Sequence, residues 1–341
     1  MHDWLAANLV CPRDLGELQR EAGKLTCSAG HHYPIVDDIP VMLIEEAAAT
    51  HESQGATFER ISGAEAPRAS LGSSEPNREA APPPAGAVDA YVQRFIVETC
   101  GNLYRPLVNR LTRYPIPELR LPSGSGGLML DIGCNWGRWC VAAARKGYRP
   151  VGIDTSLEAI LAARRVSCQL GAAASYVVAD ARYLPFRTNS FDMVFSYSVL
   201  QHFSKENAHM ALGAAARVLK PGGICLVQMP NRYGLRCMYH QIGGWFREAR
   251  RFQVRYWTVG ELRNAFGRAI GPASVSVDGY FGLGVQRSDI DLLPLRYKCI
   301  VLASEALRRM SEKAPFMKYF ADSLYVRSVR EGDLPPFVKG G

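Results

Sequence analysis

Between residues 127 and 230 the chain alternates short apolar runs with longer amphipathic segments that end at glycine or proline. The apolar runs are GLMLDIG, RPVGIDT, ASYVVAD, FDMVFSYSVL and LKPGGICLVQMP. Nearly continuous valine, isoleucine and leucine is typical of strands that are buried on both faces. Strands that alternate with helices indicate a parallel sheet, so we predict an α/β fold for this part of the chain.

Helices are predicted between these strands. They cover GRWCVAAARKG, TSLEAILAARRVSCQLG and about Lys205–Leu219. Thr155 and Glu158 have the spacing of a capping box at the start of the second helix. Pro221 ends the third helix and begins a Pro-Gly-Gly turn into the fifth strand. The tail over residues 293–328 is predicted to be an amphipathic helix that packs on the core.

Three pieces of chain are predicted. Residues 1–47 contain short β-like runs and turn residues, which indicates a small β-rich module. Residues 48–87 are rich in alanine, serine, glycine, proline and glutamate. Such a composition does not bury enough surface to fold alone, so we expect a flexible linker. Residues 88–341 form the α/β domain.

Composition narrows the class of protein. Hydrophobic residues make up 48% and charged residues 21%, which is typical of a globular chain. No apolar run is long enough to span a bilayer, and the first residues lack a signal-peptide pattern. Nine cysteines in no framework spacing suit a reducing compartment, so we expect a cytoplasmic protein. The net charge of +8 favours nucleic acid, an anionic membrane surface or an acidic substrate, and composition does not choose among them.

Three acidic residues occupy equivalent places in the predicted sheet. Asp131, Asp154 and Asp180 each stand near the carboxyl end of a successive strand. Each alone is more often a cap or a turn residue than a ligand contact. Because ligands of open α/β sheets bind outside the carboxyl ends of the strands, the three together indicate one ligand that touches three strands.

The glycine turn narrows the choice of ligand. The order Gly133-x-Asn135-x-Gly137 differs from the G-x-G-x-x-G of dinucleotide sites, and no Gly-Lys-Ser/Thr of a P-loop follows. Asparagine tolerates the left-handed conformation that glycine usually takes. An aspartate two residues before the turn is a poor neighbour for a diphosphate and a good one for a cation.

A ligand with a cationic end, a ribose and an adenine fits this pattern. Asp131 would serve the ammonium side, and Asp154 would accept hydrogen bonds from both ribose hydroxyls. Asp180 and Ala181 would meet the adenine edge. The pattern therefore predicts an S-adenosyl-L-methionine site.

Four segments resemble the successive motifs of class I S-adenosylmethionine (SAM)-dependent methyltransferases, in their ubiquinone-biosynthesis-like branch. They are LDIGCNWGRW, GIDTS, VVADARYLPFRTNSFDMVFSYSVLQHF and LKPGGICLVQMPN, and RYWTVGELRNAF is similar to a later helix of that fold. The resemblance implies a doubly wound, Rossmann-like sheet of seven strands and methyltransferase activity. By position it implies ten cofactor-site residues: Asp131, Gly133, Cys134, Asn135, Gly137, Asp154, Thr155, Asp180, Ala181 and Ser196. Asn135 stands where the family usually has glycine.

His202 is the main candidate for a catalytic residue. Methyl transfer is an in-line displacement, so positioning supplies much of the rate, and a base is needed only if the acceptor loses a proton early. The family carries a histidine at this place, either as a base or as a packing residue. Further candidates are Tyr197, Asn231, Tyr233 and His240. No Asn/Asp-Pro-Pro-Tyr segment follows the fourth strand, which argues against methylation of an adenine amino group or a glutamine.

The N-terminal module carries a possible metal site. Cys11, Asp14, Cys27 and His31 follow the pattern C-x2-D-x12-C-x3-H, which is zinc-ribbon spacing. The segment resembles the Trm112-like family, whose ribbon is followed by a tail similar to YPIVDDIPVML, and its C-x3-H half is similar to the ribbon of a bacterial 23S rRNA guanine methyltransferase. Asp14 replaces the cysteine of those ribbons, so the alternative is a degenerate ribbon held by its apolar residues. In either case we expect it to dock on the catalytic domain or over the substrate.

The segment Asn231–Trp257 interleaves arginines with aromatic residues. This pattern fits nucleic-acid binding, an anionic glycan or lipid head group, or a lid helix with a solvated face. Three hypotheses follow: a methyltransferase for a small-molecule, sugar or lipid-linked acceptor of biosynthesis, an RNA methyltransferase, and a non-catalytic SAM-binding or partner-activating protein. We favour the first, with an anionic acceptor whose specificity this insertion sets.

Overall fold

A short helix and a small antiparallel sheet begin the chain. The computed structural model describes residues 3–47, 49, 52–62, 87–247, 249, 252–282, 284 and 286–332. Helix α1 spans Asp3–Asn8, and the small sheet contains four strands in chain order: β1 (Leu18–Glu21), β2 (Lys24–Cys27), β3 (His32–Val36) and β4 (Ile39–Pro40). The predicted small β-rich module is present.

Part of the predicted linker is a packed helix. Helix α2 spans Glu52–Ser62, whereas residues 63–86 lie outside the described part of the chain. Phe58 and Ile61 of α2 pack against a buried apolar cluster of the larger domain. The composition averaged over residues 48–87 did not reveal these two apolar residues. They lie three positions apart and therefore share one face of a helix.

The larger domain alternates helices and strands as predicted. Its elements, in chain order, are α3 (Ala90–Cys100), β5 (Leu128–Ile132), α4 (Arg138–Arg145), β6 (Arg149–Asp154), α5 (Leu157–Gln169), β7 (Ser175–Val178), β8 (Phe191–Tyr197), α6 (Lys205–Val218), β9 (Leu219–Pro230), α7 (Leu235–Gly243), α8 (Val259–Ala269), β10 (Ala273–Gly279), α9 (Leu295–Lys313) and β11 (Ser323–Val329). Short 3-10 turns at Asn102–Leu107, Leu200–His202, Arg287–Leu292 and Pro315–Tyr319 connect some of them. No helix among the described residues is both long enough and apolar enough to cross a membrane.

A seven-stranded sheet forms the core of this domain. Its order is β10-β11-β9-β8-β5-β6-β7. Strands β9, β8, β5, β6 and β7 are parallel. Strand β11 pairs antiparallel with β9, and β10 pairs antiparallel with β11, so β10 runs in the same direction as the five parallel strands. This confirms the Rossmann-like fold. The strand order reverses between β5 and β8, so the carboxyl ends of these strands flank the crevice where such sheets bind ligands.

Three local predictions differ from the structure. The cap of α5 is Ser156, whose hydroxyl accepts a hydrogen bond from the Ala159 amide, and not Thr155. The predicted Pro-Gly-Gly turn lies within β9, whose pairing with β8 shifts register there. The tail is helical only to Lys313, and its last part is β11, which the sheet buries between β9 and β10.

The N-terminal module docks on the edge of the large sheet. The Met42 amide donates to the Val178 carbonyl at 2.7 Å, and Val41 pairs in parallel with Val178 at the end of β7. On another side, Leu9 bridges to Phe186. The module therefore covers a strand edge that would otherwise be open to pairing with other chains.

A substitution of Leu9 tests whether the N-terminal module shares the core of the seven-stranded sheet. Leu9 is 3% exposed and belongs to the same apolar cluster as β5 and β6. We expect Leu9→Ala to lower the free energy of unfolding by roughly 2–5 kcal/mol, because it leaves a cavity in a packed core. Urea denaturation measures this. The matched control is Leu302→Ala at an exposed site, with an expected change within about 0.5 kcal/mol. Equal effects of the two substitutions would contradict a shared core.

Candidate cofactor and acceptor site

A cavity of about 1960 Å³ lies at the carboxyl ends of β5, β6 and β8. Its walls include residues 132–136, 153–156, 197–199 and 201–203, at the ends of these three strands. Further parts of the wall come from the end of α3, from Ala179 and Ala181 after β7, and from the segment after β9. The cavity therefore occupies the crevice at the point where the strand order reverses.

The turn after β5 has the conformation that the sequence predicts. Gly133, Asn135 and Gly137 all have positive φ, at 73°, 46° and 79°. The Asn135 side chain stabilises its own left-handed turn, because its Oδ1 accepts a hydrogen bond from the Trp136 amide at 2.8 Å. A Cβ on Gly133 would lie 2.3 Å from Val199 Cγ2, so both its φ and its surroundings require glycine.

Asp154 lies at the wall of the cavity and joins two of its loops. Its Oδ2 accepts a hydrogen bond from the Asn135 amide at 3.1 Å, and its Oδ1 accepts one from the Ser156 amide at 3.0 Å. Each carboxylate oxygen has two acceptor sites. The carboxylate can therefore accept further hydrogen bonds from a ligand while it keeps both backbone contacts.

Asp131 lies beneath the cavity and not on its wall. It is 1% exposed, and the Cys140 thiol donates to its Oδ2 at 3.3 Å. Burial raises the pKa of Asp131 to about 7, because it disfavours the charged form, and the charge of Asp154 acts in the same direction. The structure thus places Asp131 beneath the turn, and its contact with an ammonium group stays a prediction.

Asp180 is buried and is not among the residues that line the cavity. Its carboxylate forms an ion pair with Arg182, with Nη2 2.8 Å from Oδ2, and accepts a hydrogen bond from the Arg182 amide. Its neighbour Ala181 lines the cavity. The adenine contacts expected of both residues stay predictions.

The ten sequence-predicted cofactor residues divide into two groups. Those at the cavity wall are Gly133, Cys134, Asn135, Asp154, Thr155 and Ala181. Those beneath it are Asp131, Gly137, Asp180 and Ser196. The Ser196 hydroxyl donates to the Ile132 carbonyl at 3.0 Å, and Gly137 lies so close to Tyr176 that a Cβ would be 2.6 Å from its hydroxyl. This second group holds β5, β8 and the first turn of α4 in place.

His202 lines the cavity in a defined orientation. Its Nδ1 lies 2.7 Å from the Phe252 carbonyl, and its ring stacks on the Phe252 ring with centroids 3.8 Å apart. Because a carbonyl only accepts, the proton of the neutral ring is on Nδ1. Its Nε2 is then an acceptor, and the Gln201 side-chain amide lies 3.1 Å from it.

The other catalytic candidates differ in position. Tyr197 lines the cavity but donates its hydroxyl to Asp278 at 2.7 Å. Asn231 is buried and donates to backbone carbonyls near residue 320, so its role is structural. His240 lines the cavity, whereas Tyr233 is largely exposed and does not.

Sequence patterns missed a buried arginine at the cavity wall. Arg138 is 5% exposed, with Nη2 3.3 Å from an Asp289 carboxylate oxygen. Tyr104 also hydrogen-bonds to Asp289, and Arg138 contacts the Cys100 thiol. The available signal was the position of Arg138 directly after Gly137, at the start of a helix whose next six residues are apolar.

The four residues of the predicted metal site come together in the N-terminal module. One ligand atom from each of Cys11, Asp14, Cys27 and His31 lies within 4.8 Å of all the others. His31 Nδ1 is 3.5 Å and 3.3 Å from the Sγ atoms of Cys11 and Cys27, and 3.2 Å from Asp14 Oδ2. A tetrahedral zinc site has ligand–ligand distances of roughly 3.3–3.8 Å. The donor set and its spacing therefore fit a zinc ion.

Comparisons with known proteins agree with the fold and the cavity. Residues 130–227 match the family described as Methyltransferase domain. A stretch of 111 residues is 33% identical to Ubiquinone biosynthesis O-methyltransferase of Brucella anthropi, and it covers 31% of this chain and 44% of that protein. A stretch of 103 residues is 34% identical to Probable tRNA methyltransferase 9B of Mus musculus, and it covers 30% of this chain and 21% of that protein.

Among solved structures, the YcgJ protein from Bacillus subtilis is similar, with a TM-score of 0.43 and 16% identity over 72% of this chain and 100% of that chain. A likeness this distant supports no statement about function. The family match over residues 130–227, together with the sheet and the strand-end cavity, indicates a methyltransferase domain in this part of the chain. The chain spans less than half the length of the two curated relatives. Its acceptor therefore belongs to the proposal that follows.

The pKa of Asp131 makes stability depend on pH. Because its pKa rises from about 4 in the unfolded chain to about 7 in the fold, the folded protein keeps a proton that the unfolded chain has released. The stabilisation is complete below about pH 4 and is lost as the pH rises through 7.

We expect the free energy of unfolding of Asp131→Asn to rise by roughly 2 kcal/mol relative to that of wild type when the pH changes from about 5 to about 8. Urea denaturation at the two pH values measures this difference. The exposed control Asp291→Asn should show no such change, and a pH-independent effect of Asp131→Asn would refute the raised pKa.

Proposed function

We propose that this protein transfers a methyl group from S-adenosylmethionine to a small-molecule, sugar or lipid-linked acceptor that carries negative charge. One observation carries the proposal: a single cavity joins the glycine turn and Asp154 to a second half with cationic walls. The first half suits the cofactor and the second suits an anion.

The residues at the cofactor half fit the group. The turn residues 133–136 line the cavity, so a ligand can contact the backbone there. Asp154 lies at the same wall, where its carboxylate can accept hydrogen bonds from ribose hydroxyls, and Ala181 presents a small apolar surface to a base. When bound, S-adenosylmethionine supplies an electrophilic methyl group on a sulfonium.

The acceptor half of the cavity is cationic. Basic residues on its walls are Lys205, Arg232, Arg236, Arg247 and Arg255. Among the described residues that line the cavity, the carboxylates are Glu98, Asp154 and Asp322. Asp322 already accepts hydrogen bonds from the backbone amides of Arg236, Cys237 and Phe281. Positive charge therefore prevails on this side, which favours a phosphorylated or carboxylated acceptor.

His202 is placed to act as a base for a hydroxyl acceptor. Once an acceptor hydroxyl replaces the Gln201 amide beside Nε2, this nitrogen would receive the acceptor proton, while the Nδ1 proton stays bonded to the Phe252 carbonyl. That carbonyl then stabilises the imidazolium. The stacked Phe252 ring keeps the imidazole plane fixed.

RNA methylation is the second candidate. The similarity to a protein named as a probable tRNA methyltransferase and the six arginines of residues 231–257 favour it. Phosphate-dominated binding weakens steeply with salt. A steep loss of RNA binding between about 50 and 200 mM salt would support this alternative.

We also propose that Cys11, Asp14, Cys27 and His31 hold zinc. Second contacts support the donor set: the Gly16 amide donates to Asp14 Oδ1 at 2.8 Å, and the Tyr33 hydroxyl lies 3.2 Å from Cys11 Sγ. Such contacts orient ligands and stabilise a thiolate. Zinc would then stabilise the folded N-terminal module, which covers the edge of the large sheet.

Calorimetric titration with S-adenosylmethionine tests the cofactor site. We expect micromolar binding to wild type and at least about tenfold weaker binding to Asp154→Asn, because charge-assisted hydrogen bonds contribute about 1.5–3 kcal/mol. Asp291→Asn, whose residue lies outside the cavity, should bind as wild type does. Circular dichroism checks that each variant is folded.

The outcomes separate the hypotheses. Transfer of a labelled methyl group to an anionic acceptor would complete the case for an enzyme. Binding without transfer to any acceptor class would favour the non-catalytic alternative. No binding to well-folded wild type would overturn the cofactor assignment.

Elemental analysis tests the zinc site. Protein produced with zinc should hold about one zinc per chain, and Cys27→Ala should hold almost none and unfold at a lower temperature, because structural zinc contributes directly to folding. Cys168→Ala is the matched control, since Cys168 is exposed and lies outside the cluster. Zinc-free wild type with unchanged stability would show that the apolar residues alone hold the module.

A further inference from the structure

Helix α7 presents apolar side chains to solvent. Leu235, Tyr239 and Ile242 lie at i, i+4 and i+7, so they share one face of the helix, and Tyr239 and Ile242 are 73% and 59% exposed. The turn after α7 continues this surface with Trp245, which is 83% exposed, and Phe246. A surface helix of a globular protein normally has the opposite arrangement.

The fold fixes α7 in this orientation. The buried carboxylate of Asp322, which is 0% exposed, accepts hydrogen bonds from the backbone amides of Arg236 and Cys237 at 2.7 Å and 2.9 Å. Cys237 is buried on the inner side. Because the Asp322 carboxylate and Cys237 are both buried, the outward apolar stripe belongs to the folded structure and not to a loosely held helix.

A neighbouring turn enlarges the surface. The Leu235 amide donates to the Phe320 carbonyl at 3.2 Å, which joins α7 to the 3-10 turn Pro315–Tyr319. Phe316, Tyr319 and Phe320 are exposed there. We call the whole set the apolar face; it comprises Leu235, Tyr239, Ile242, Trp245, Phe246, Phe316, Tyr319 and Phe320.

The charge around the apolar face is strongly positive. In the described part of residues 231–257 the charged side chains are Arg232, Arg236, Arg247 and Arg255, and Lys318 lies in the neighbouring turn. Arg232, Arg236 and Arg247 also line the cavity. This part of the chain thus exposes apolar side chains to solvent and places cationic side chains at the cavity.

We propose that the apolar face docks on the surface of an anionic phospholipid bilayer, so that the cavity opens toward the interface and receives an amphipathic acceptor from it. Aromatic residues and arginines beside leucine and isoleucine are the composition of interfacial helices. A second copy of the chain is a poorer occupant, since symmetric contact would place arginine against arginine. RNA is also poorer, because aliphatic side chains such as Leu235 and Ile242 add nothing to base stacking.

Sedimentation of the full chain with vesicles tests docking. Wild type should bind phosphatidylcholine vesicles that contain about a quarter phosphatidylglycerol, and should bind pure phosphatidylcholine much more weakly, because each basic residue near an anionic surface adds attraction. The double variant Ile242→Glu/Trp245→Glu should bind the anionic vesicles at least about tenfold more weakly, because both side chains lose their apolar contact. Met210→Glu, which replaces an exposed apolar side chain on α6 by glutamate, should bind as wild type does.

Three results would overturn the proposal. The first is wild type that stays in solution with anionic vesicles, and the second is an equal loss for Met210→Glu. The third is concentration-dependent dimerisation without vesicles that the double variant abolishes, which would assign the apolar face to a second copy. The delivery of an acceptor rests on the proposed function, whereas vesicle binding does not. Titration of each variant with S-adenosylmethionine therefore separates a failure of docking from a failure of the cofactor site.

Discussion

The carboxylate of Asp154 holds together the two loops on which the cavity depends. One oxygen fixes the turn after β5 through the Asn135 amide, and the other fixes the start of α5 through the Ser156 amide. Both loops leave neighbouring parallel strands at the same edge of the sheet. A carboxylate at the end of β6 therefore fixes the spacing of the two loops before any ligand enters.

The parts of the site that depend on the backbone could be predicted from the sequence. Strand ends, the glycine turn and the left-handed Asn135 follow from local chemistry, and the structure has them where the pattern placed them. The burial of Asp131 and the ion pair of Asp180 with Arg182 could not be predicted from the sequence. They depend on which partner each carboxylate finds in three dimensions, and Cys140 and Arg182 supplied those partners.

Errors at the level of whole elements have a common physical cause. The composition of residues 48–87 predicted a linker and did not reveal the short apolar stripe of α2. The amphipathic pattern of the tail predicted a helix and did not reveal β11. In both places burial against a distant part of the chain decides the structure. The Thr57 hydroxyl, for example, donates to the Thr155 carbonyl and accepts from the Leu157 amide, so α2 gains a fixed place beside the cavity from residues about a hundred positions away.

The hydrogen bond between Met42 and Val178 makes the ribbon module a part of the catalytic sheet. Contacts of this kind between separate chains depend on concentration, because two molecules must first meet. Within one chain the same contact benefits from a high effective concentration, which short tethers place in the millimolar range. A ribbon supplied by a separate activator would have to meet that carbonyl from solution, whereas here covalent linkage keeps the sheet edge covered even when the protein is very dilute.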